Sequence, residues 1–216
     1  MEKETNSDEI IIDLMKKIET LQNDVDDLKK QINPKKIETN KILTKEKILN
    51  LQKEDPYYDE AKWKFFYKPV IEELKKLEEI ETVLEMGPYK APFIENCDVL
   101  DYQDLSDSFA SKVNKVIIHD CRKTPFPIED KTYDLLIASQ ILEHLGYEGE
   151  QVEIFKEIAR ISKKAIIALP YKWIRPLARN HHMIDENVFD AWQGNFKHIH
   201  EKTNERIILR VYDFGD

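Results

Sequence analysis

The sequence predicts an α/β fold: a mostly parallel sheet that closes in an antiparallel C-terminal hairpin, preceded by an N-terminal helical coiled coil. Three observations predict it. Short apolar runs ending in an acid or a small polar residue recur at 82–87, 97–102, 116–121 and 133–139. Helical segments alternate with the strand-like runs, the pattern of a parallel sheet. Ahead of them, Ile11, Leu14, Ile18, Leu21, Val25, Leu28 and Ile32 follow one another at alternating spacings of three and four. That is a heptad seam.

The seam defines a first segment, 1–34. The branched residues Ile11, Ile18, Val25 and Ile32 share one repeat position, and Leu14, Leu21 and Leu28 share the other. This distribution favours a parallel two-stranded coil, and it sets Asp24 against the partner's Lys29. Pro34 lacks an amide hydrogen and clashes with the preceding turn, so it stops the helix. A homodimer through this segment is the expectation. Residues 35–55, rich in Lys, Glu and Asn, carry a weaker helical pattern through Ile42, Leu43, Ile48, Leu49 and Leu51. They read as a linker or connecting helix.

The α/β domain is placed at 56–216. Tyr57, Tyr58, Trp63, Phe65, Phe66 and Tyr67 crowd its start. They pack on the sheet or form a lid over a ligand. Pro69, Val70, Ile71, Leu74, Leu77 and Ile80 continue as a helix or broken helix leading into the first strand. Strands follow at 82–86, 97–101 and 116–118, with a short helix expected at 105–113. A strand at 133–139, a helix at 152–161 and a strand at 164–170 come next. Finally 198–202 and 207–214 flank Thr203, Asn204 and Glu205, a hairpin-like turn.

The bulk properties exclude several classes. With 35% charged residues, a net charge of −9 and a pI near 5.3, the chain is a poor general nucleic-acid binder, which needs positive patches. Cys97 and Cys121 form neither a disulfide framework nor a zinc spacing, and read as small buried hydrophobes. No apolar run approaches a membrane span, and the first residues are charged. A cytoplasmic protein with no nucleic-acid or membrane partner is expected.

Ligands of open parallel sheets sit beyond the carboxyl ends of the strands, so acids at successive strand ends point to one cleft. The ordered set of Glu85-Met86-Gly87, Asp101, Asp120-Cys121, Pro125-Phe126-Pro127, Tyr133-Asp134 and Leu142-Glu143-His144 resembles the Rossmann-like class I S-adenosylmethionine-dependent methyltransferases over 82–171. The resemblance implies that Glu85 and Gly87 serve the methionine end of the cofactor and that Asp101 accepts the ribose hydroxyls. It places Asp120 at the adenine amino group and the Cys121 amide at a ring nitrogen, and counts Ser139 among the cofactor-binding residues. The chain departs from the family in carrying one glycine, not two or three, in its first turn, Gly87-Pro88-Tyr89. Only 14 positions separate Gly87 from Asp101, which leaves little room for the usual first crossover helix.

Methyl transfer to a hydroxyl benefits from a base near neutral pKa, a task that suits histidine. His144 follows the fourth strand; His182, with Asp185 able to orient a histidine, lies in the stretch after the fifth, where family members cover the acceptor. Histidines and acids at 181–186 raise the thought of a metal, but no partner elsewhere completes a site, and none is assigned. Trp173 and Trp192 pack or stack on an acceptor ring. The sequence therefore points to a methyltransferase acting by direct displacement on a small-molecule, glycan or sugar-intermediate acceptor. The rival reading is a non-catalytic dimeric scaffold with the same fold.

Overall fold

The computed structural model describes residues 7–32, 37–38, 41–145, 149–173 and 183–215. The chain divides into two compact units, Met1–Lys35 and Lys36–Asp216. The first contains one helix, α1 (Ser7–Ile32), which ends two residues before Pro34. Of its seam, Ile11, Leu14, Ile18 and Leu21 have described side chains, and these are 52–62% exposed. No described helix is long and apolar enough to cross a membrane.

The second unit is built on a seven-stranded sheet: β1 (Val83–Met86), β2 (Asp98–Asp101), β3 (Lys115–Ile118), β4 (Tyr133–Ser139), β5 (Ser162–Pro170), β6 (His198–Thr203) and β7 (Ile207–Asp213). Their order across the sheet is β3-β2-β1-β4-β5-β7-β6. The first five are parallel, and β7 runs antiparallel between β5 and β6. The expected hairpin thus closes the sheet. At its turn the Asn204 carbonyl Oδ1 accepts hydrogen bonds from the amides of Arg206 (2.8 Å) and Ile207 (3.0 Å).

Strands covered on both faces need apolar residues on both, which is why β1, β4 and β5 read as nearly unbroken apolar runs. Their alternation divides them between two cores. Val83, Leu135, Ile137 and Ile166 belong to one; Leu84, Met86, Leu136, Ala138 and Ile167 belong to the other. The first core is covered by α2 (Lys45–Leu51) and by a continuous helical stretch comprising α3 (Glu60–Lys62), a π turn (Trp63–Tyr67) and α4 (Lys68–Leu74). The second is covered by α5 (Glu150–Ile161) and α6 (Glu186–Gln193).

Residues 41–43, in the stretch read as linker or helix, pair with the loop after β1. Ile42 bridges Ile94, the Leu43 amide donates to the Phe93 carbonyl (2.8 Å), and Ile42, Leu43 and Ile48 are buried in the first core. The helix expected at 105–113 is corrected to a single 3-10 turn, Ser106–Ser108. Asp104 Oδ1 accepts the Ser106 amide (2.9 Å) and Ser108 Oγ donates to the Leu105 carbonyl (2.9 Å). Such local side-chain bonds compete with a continuing helix.

Candidate functional site

In the strand order, the chain leaves β1 toward β2 and β3, then returns to place β4 on β1's other side. The carboxyl ends of β1 and β4 therefore flank a topological switch point, where the connections diverge and a crevice opens. A cavity of about 500 Å³ lies there, and its lining includes Gly87, Asp101, Asp120, Cys121 and Ser139, with Tyr57 from the turn before the helical stretch and Lys62, Phe66 and Tyr67 from the stretch itself. The π turn helps to explain that last group. Its wider turn brings residues four and five positions apart to one side, and Lys62, Phe66 and Tyr67 all reach the cavity.

Gly87 sits at φ +59°, and a Cβ built there would lie 2.6 Å from Ile141 Cδ1. Only glycine fits both the backbone and the space. Tyr89, two residues on, also has positive φ, 53°, without being glycine. Its loop is tied down from outside. Tyr89 Oη donates to Asp55 Oδ2 (3.1 Å), Lys90 Nζ donates to the same oxygen (2.9 Å), and the Lys90 amide donates to Tyr58 Oη (3.0 Å). The Tyr58 and Tyr89 rings stack with centroids 6.1 Å apart.

The two strand-end acids differ. Asp101 is 6% exposed, its Oδ1 accepts the Gln103 amide (3.2 Å), and burial pushes its carboxyl up. Asp120 accepts two parallel hydrogen bonds, from Arg122 Nε and Nη2 (2.9 Å each), and that guanidinium holds its carboxyl down at about 2. Burial pushes the Cys121 thiol up to about 12, so it is not a nucleophile at neutral pH.

Glu85 is a correction to the sequence reading. It does not line the cavity. It sits on the same strand face as Val83, under the loop after β1, with Oε2 accepting the Phe93 amide and Oε1 the Ile94 amide (2.8 Å each). Burial raises its carboxyl to about 7 in spite of those donors. Glu85 thus pins the loop that stands where a crossover helix would run. Asp185 caps α6, its Oδ1 accepting the Val188 amide (3.0 Å), and it lines neither this cavity nor the one described next. His182 lies outside the described residues.

His144 ends a 3-10 turn, Leu142–His144, and lines the first cavity together with a second of about 690 Å³. Tyr57, Lys62, Phe66 and Gln140 are also common to both, so the two cavities share a wall. The second adds Glu143, Tyr171, Lys172, Trp173 and Arg206. Trp173 lines it, whereas Trp192 is buried in the second core. Sequence reasoning missed Lys62, Gln140 and Glu143. The crowding of aromatics around Lys62 was the available signal for the first. Nothing in the local pattern singles out Gln140, whose φ of 58° belongs to the tight exit from β4.

This strand order and this cavity at the β1–β4 switch point define the class I S-adenosylmethionine-dependent methyltransferase fold. Solved structures similar to the chain include the following two. One is the PH0226 protein from Pyrococcus horikoshii OT3, at 18% identity and a TM-score of 0.53, covering 68% of this chain and 87% of that one. The other is a SAM-dependent methyltransferase from Aquifex aeolicus, at 16% identity and a TM-score of 0.50, covering 79% and 98%. No family profile matches the sequence, and no curated protein does.

Proposed function

We propose that this chain is an S-adenosylmethionine-dependent methyltransferase acting on a small-molecule or glycan acceptor. The observation that carries the reading is the convergence of Gly87, Asp101, Asp120, Cys121 and Ser139 on one cavity at the switch point. Its volume suits a ligand of nucleoside size. The donor set fits as well: a buried carboxylate in Asp101 for a ribose diol, a second carboxylate in Asp120 for the exocyclic amine of a purine, and the Cys121 amide beside it. Gly87, where a Cβ would strike Ile141, allows close backbone approach. When bound, the cofactor supplies an electrophilic methyl group on a sulfonium that leaves without further activation.

What remains for the chain is positioning and exclusion of water. Tyr57, Phe66 and Tyr67 wall the first cavity with aromatic faces, and the wall shared through Gln140 and His144 leads to the acceptor side. His144 stands at that junction as an acceptor-facing group. A thermal-shift comparison of S-adenosylhomocysteine with NAD and ATP tests the assignment: stabilisation by S-adenosylhomocysteine alone is expected, and stabilisation by NAD alone contradicts it.

On the same reading α1 forms a parallel coiled coil with a second copy of the chain and makes the protein a cytoplasmic homodimer. The support is the heptad seam together with the exposure of Ile11, Leu14, Ile18 and Leu21 in the single chain.

A further inference from the structure

Among the described residues, two buried side-chain polar atoms have no hydrogen-bond partner: Glu143 Oε2 and His198 Nδ1. Only Glu143 belongs to the lining of either cavity. Its side chain is 2% exposed, yet it sits in the wall of the second cavity, in the turn after β4 that also carries His144. Burying a carboxyl with an unsatisfied oxygen costs stability, and a backbone hydrogen bond at Glu143 and the charge of Lys62 offset that cost only in part. A ligand that donates a hydrogen bond would offset the rest.

We propose that the second cavity is the acceptor site, that Glu143 receives the hydroxyl of an alcohol or sugar acceptor at Oε2, and that its carboxylate takes the hydroxyl proton. This rests on the methyltransferase reading of the first cavity. As the acceptor oxygen forms its bond to the methyl carbon, the methyl–sulfur bond breaks and its electron pair stays on sulfur as a neutral thioether. The hydroxyl proton passes to Glu143.

The charges in the wall favour a neutral hydroxyl over an ammonium. Lys62 faces Glu143 closely enough to act on its ionisation, and His144 Nε2 lies 3.9 Å from Glu143 Oε1. Lys172, itself paired with Glu186 Oε2 (3.8 Å), and Arg206 add two further cations, against Asp59 and Glu205. Asp59 is already engaged as the cap of α3, accepting the Lys62 amide at 2.7 Å. A cationic amine would enter beside Lys62; an alcohol meets no such repulsion. Burial raises the Glu143 carboxyl to about 8, with Lys62 opposing the rise, which places it in the range where a general base works at physiological pH. His144, exposed at the junction, is then a neighbour that shapes the passage rather than the proton acceptor.

The test compares wild type with Glu143→Gln and His144→Gln in the full chain. Calorimetry with S-adenosylhomocysteine comes first, and absence of binding to wild type sinks the methyltransferase reading itself. Given binding, thioether-product release is followed with matched alcohol and amine probes: glucose against glucosamine, and benzyl alcohol against benzylamine. The expected result has three parts. The alcohol member is turned over in preference; Glu143→Gln keeps its S-adenosylhomocysteine affinity but loses about 100-fold or more in kcat; and His144→Gln loses less of the rate than Glu143→Gln does. Thermal melts add a readout independent of turnover: Glu143→Gln melts at or above wild type at pH 9, because a buried charge has been removed. Preference for the amine, turnover of no alcohol probe, an unchanged rate in Glu143→Gln, or a lower melting temperature for Glu143→Gln at pH 9 would each overturn the proposal.

Discussion

Asp101 and Asp120 are acids at neighbouring strand ends, but their settings make them different tools. Asp101 is nearly buried with one backbone donor, so its remaining capacity suits a ligand diol. Asp120 is clamped by Arg122, which fixes its orientation and keeps it ionised. Asp101→Ala should therefore weaken S-adenosylhomocysteine binding by about 10- to 100-fold, the worth of hydrogen bonds to a charged acceptor, with little change in the urea midpoint. Gly87→Ala should cost roughly 1–3 kcal/mol in urea unfolding, because a Cβ at φ +59° must also displace Ile141. At this scale the sequence was legible where the residue's place followed from a strand end, as for Asp101, Asp120 and Gly87. It misled at Glu85, which shares the Val83 face of β1 and is taken up by the Phe93 and Ile94 amides of the loop rather than by the crevice. Asp185 stands just before a helix, where an acid satisfies the helix's first amides, and that cap is the role it shows.

At the scale of elements, the feature that stands apart is the connection from β1 to β2. The 14-residue spacing left little room for the usual crossover helix, and none is present between Met86 and Asp98. Ala91, Phe93 and Ile94 fill the first core instead, held by Glu85 and by pairing with residues 41–43. That long-range pairing was not legible, because a Lys- and Glu-rich stretch gives no local sign of a partner fifty residues away. The same limit hid the loss of the helix at 105–113, whose apolar spacing was outweighed by Asp and Ser side chains bonding their own backbone. Glu85→Gln tests the loop's anchorage. Its amide nitrogen would face a backbone N–H in place of an acceptor, so about 1–3 kcal/mol of stability should be lost in denaturant unfolding. An unchanged midpoint would show that the loop holds without it.

For the whole molecule, the two buried carboxyls set the sign of its pH dependence. Glu85 and Glu143 titrate near 7 and 8 when folded, against an ordinary value of 4.5. The folded chain therefore retains protons that the unfolded chain has released, and stability falls as pH rises from about 5 through 8. His198 acts in the opposite sense, since burial lowers its imidazole and favours the folded state as pH rises through the ordinary value of 6.5. Urea midpoints should nonetheless decline between pH 5 and pH 8, and the decline should be shallower in Glu143→Gln. The N-terminal helix makes a separate prediction. Ile18→Asp with Leu21→Asp should convert a dimer to a monomer in sedimentation while leaving S-adenosylhomocysteine binding intact; a dimer that persists would remove the coiled coil from the account. The central claim, that the switch-point cavity holds S-adenosylmethionine, is tested most directly by calorimetric titration of the full chain with S-adenosylhomocysteine, beside Asp101→Ala. One-to-one micromolar binding that collapses in the variant is the predicted result. A folded wild-type protein that takes up no S-adenosylhomocysteine would contradict the claim and leave the fold as a scaffold.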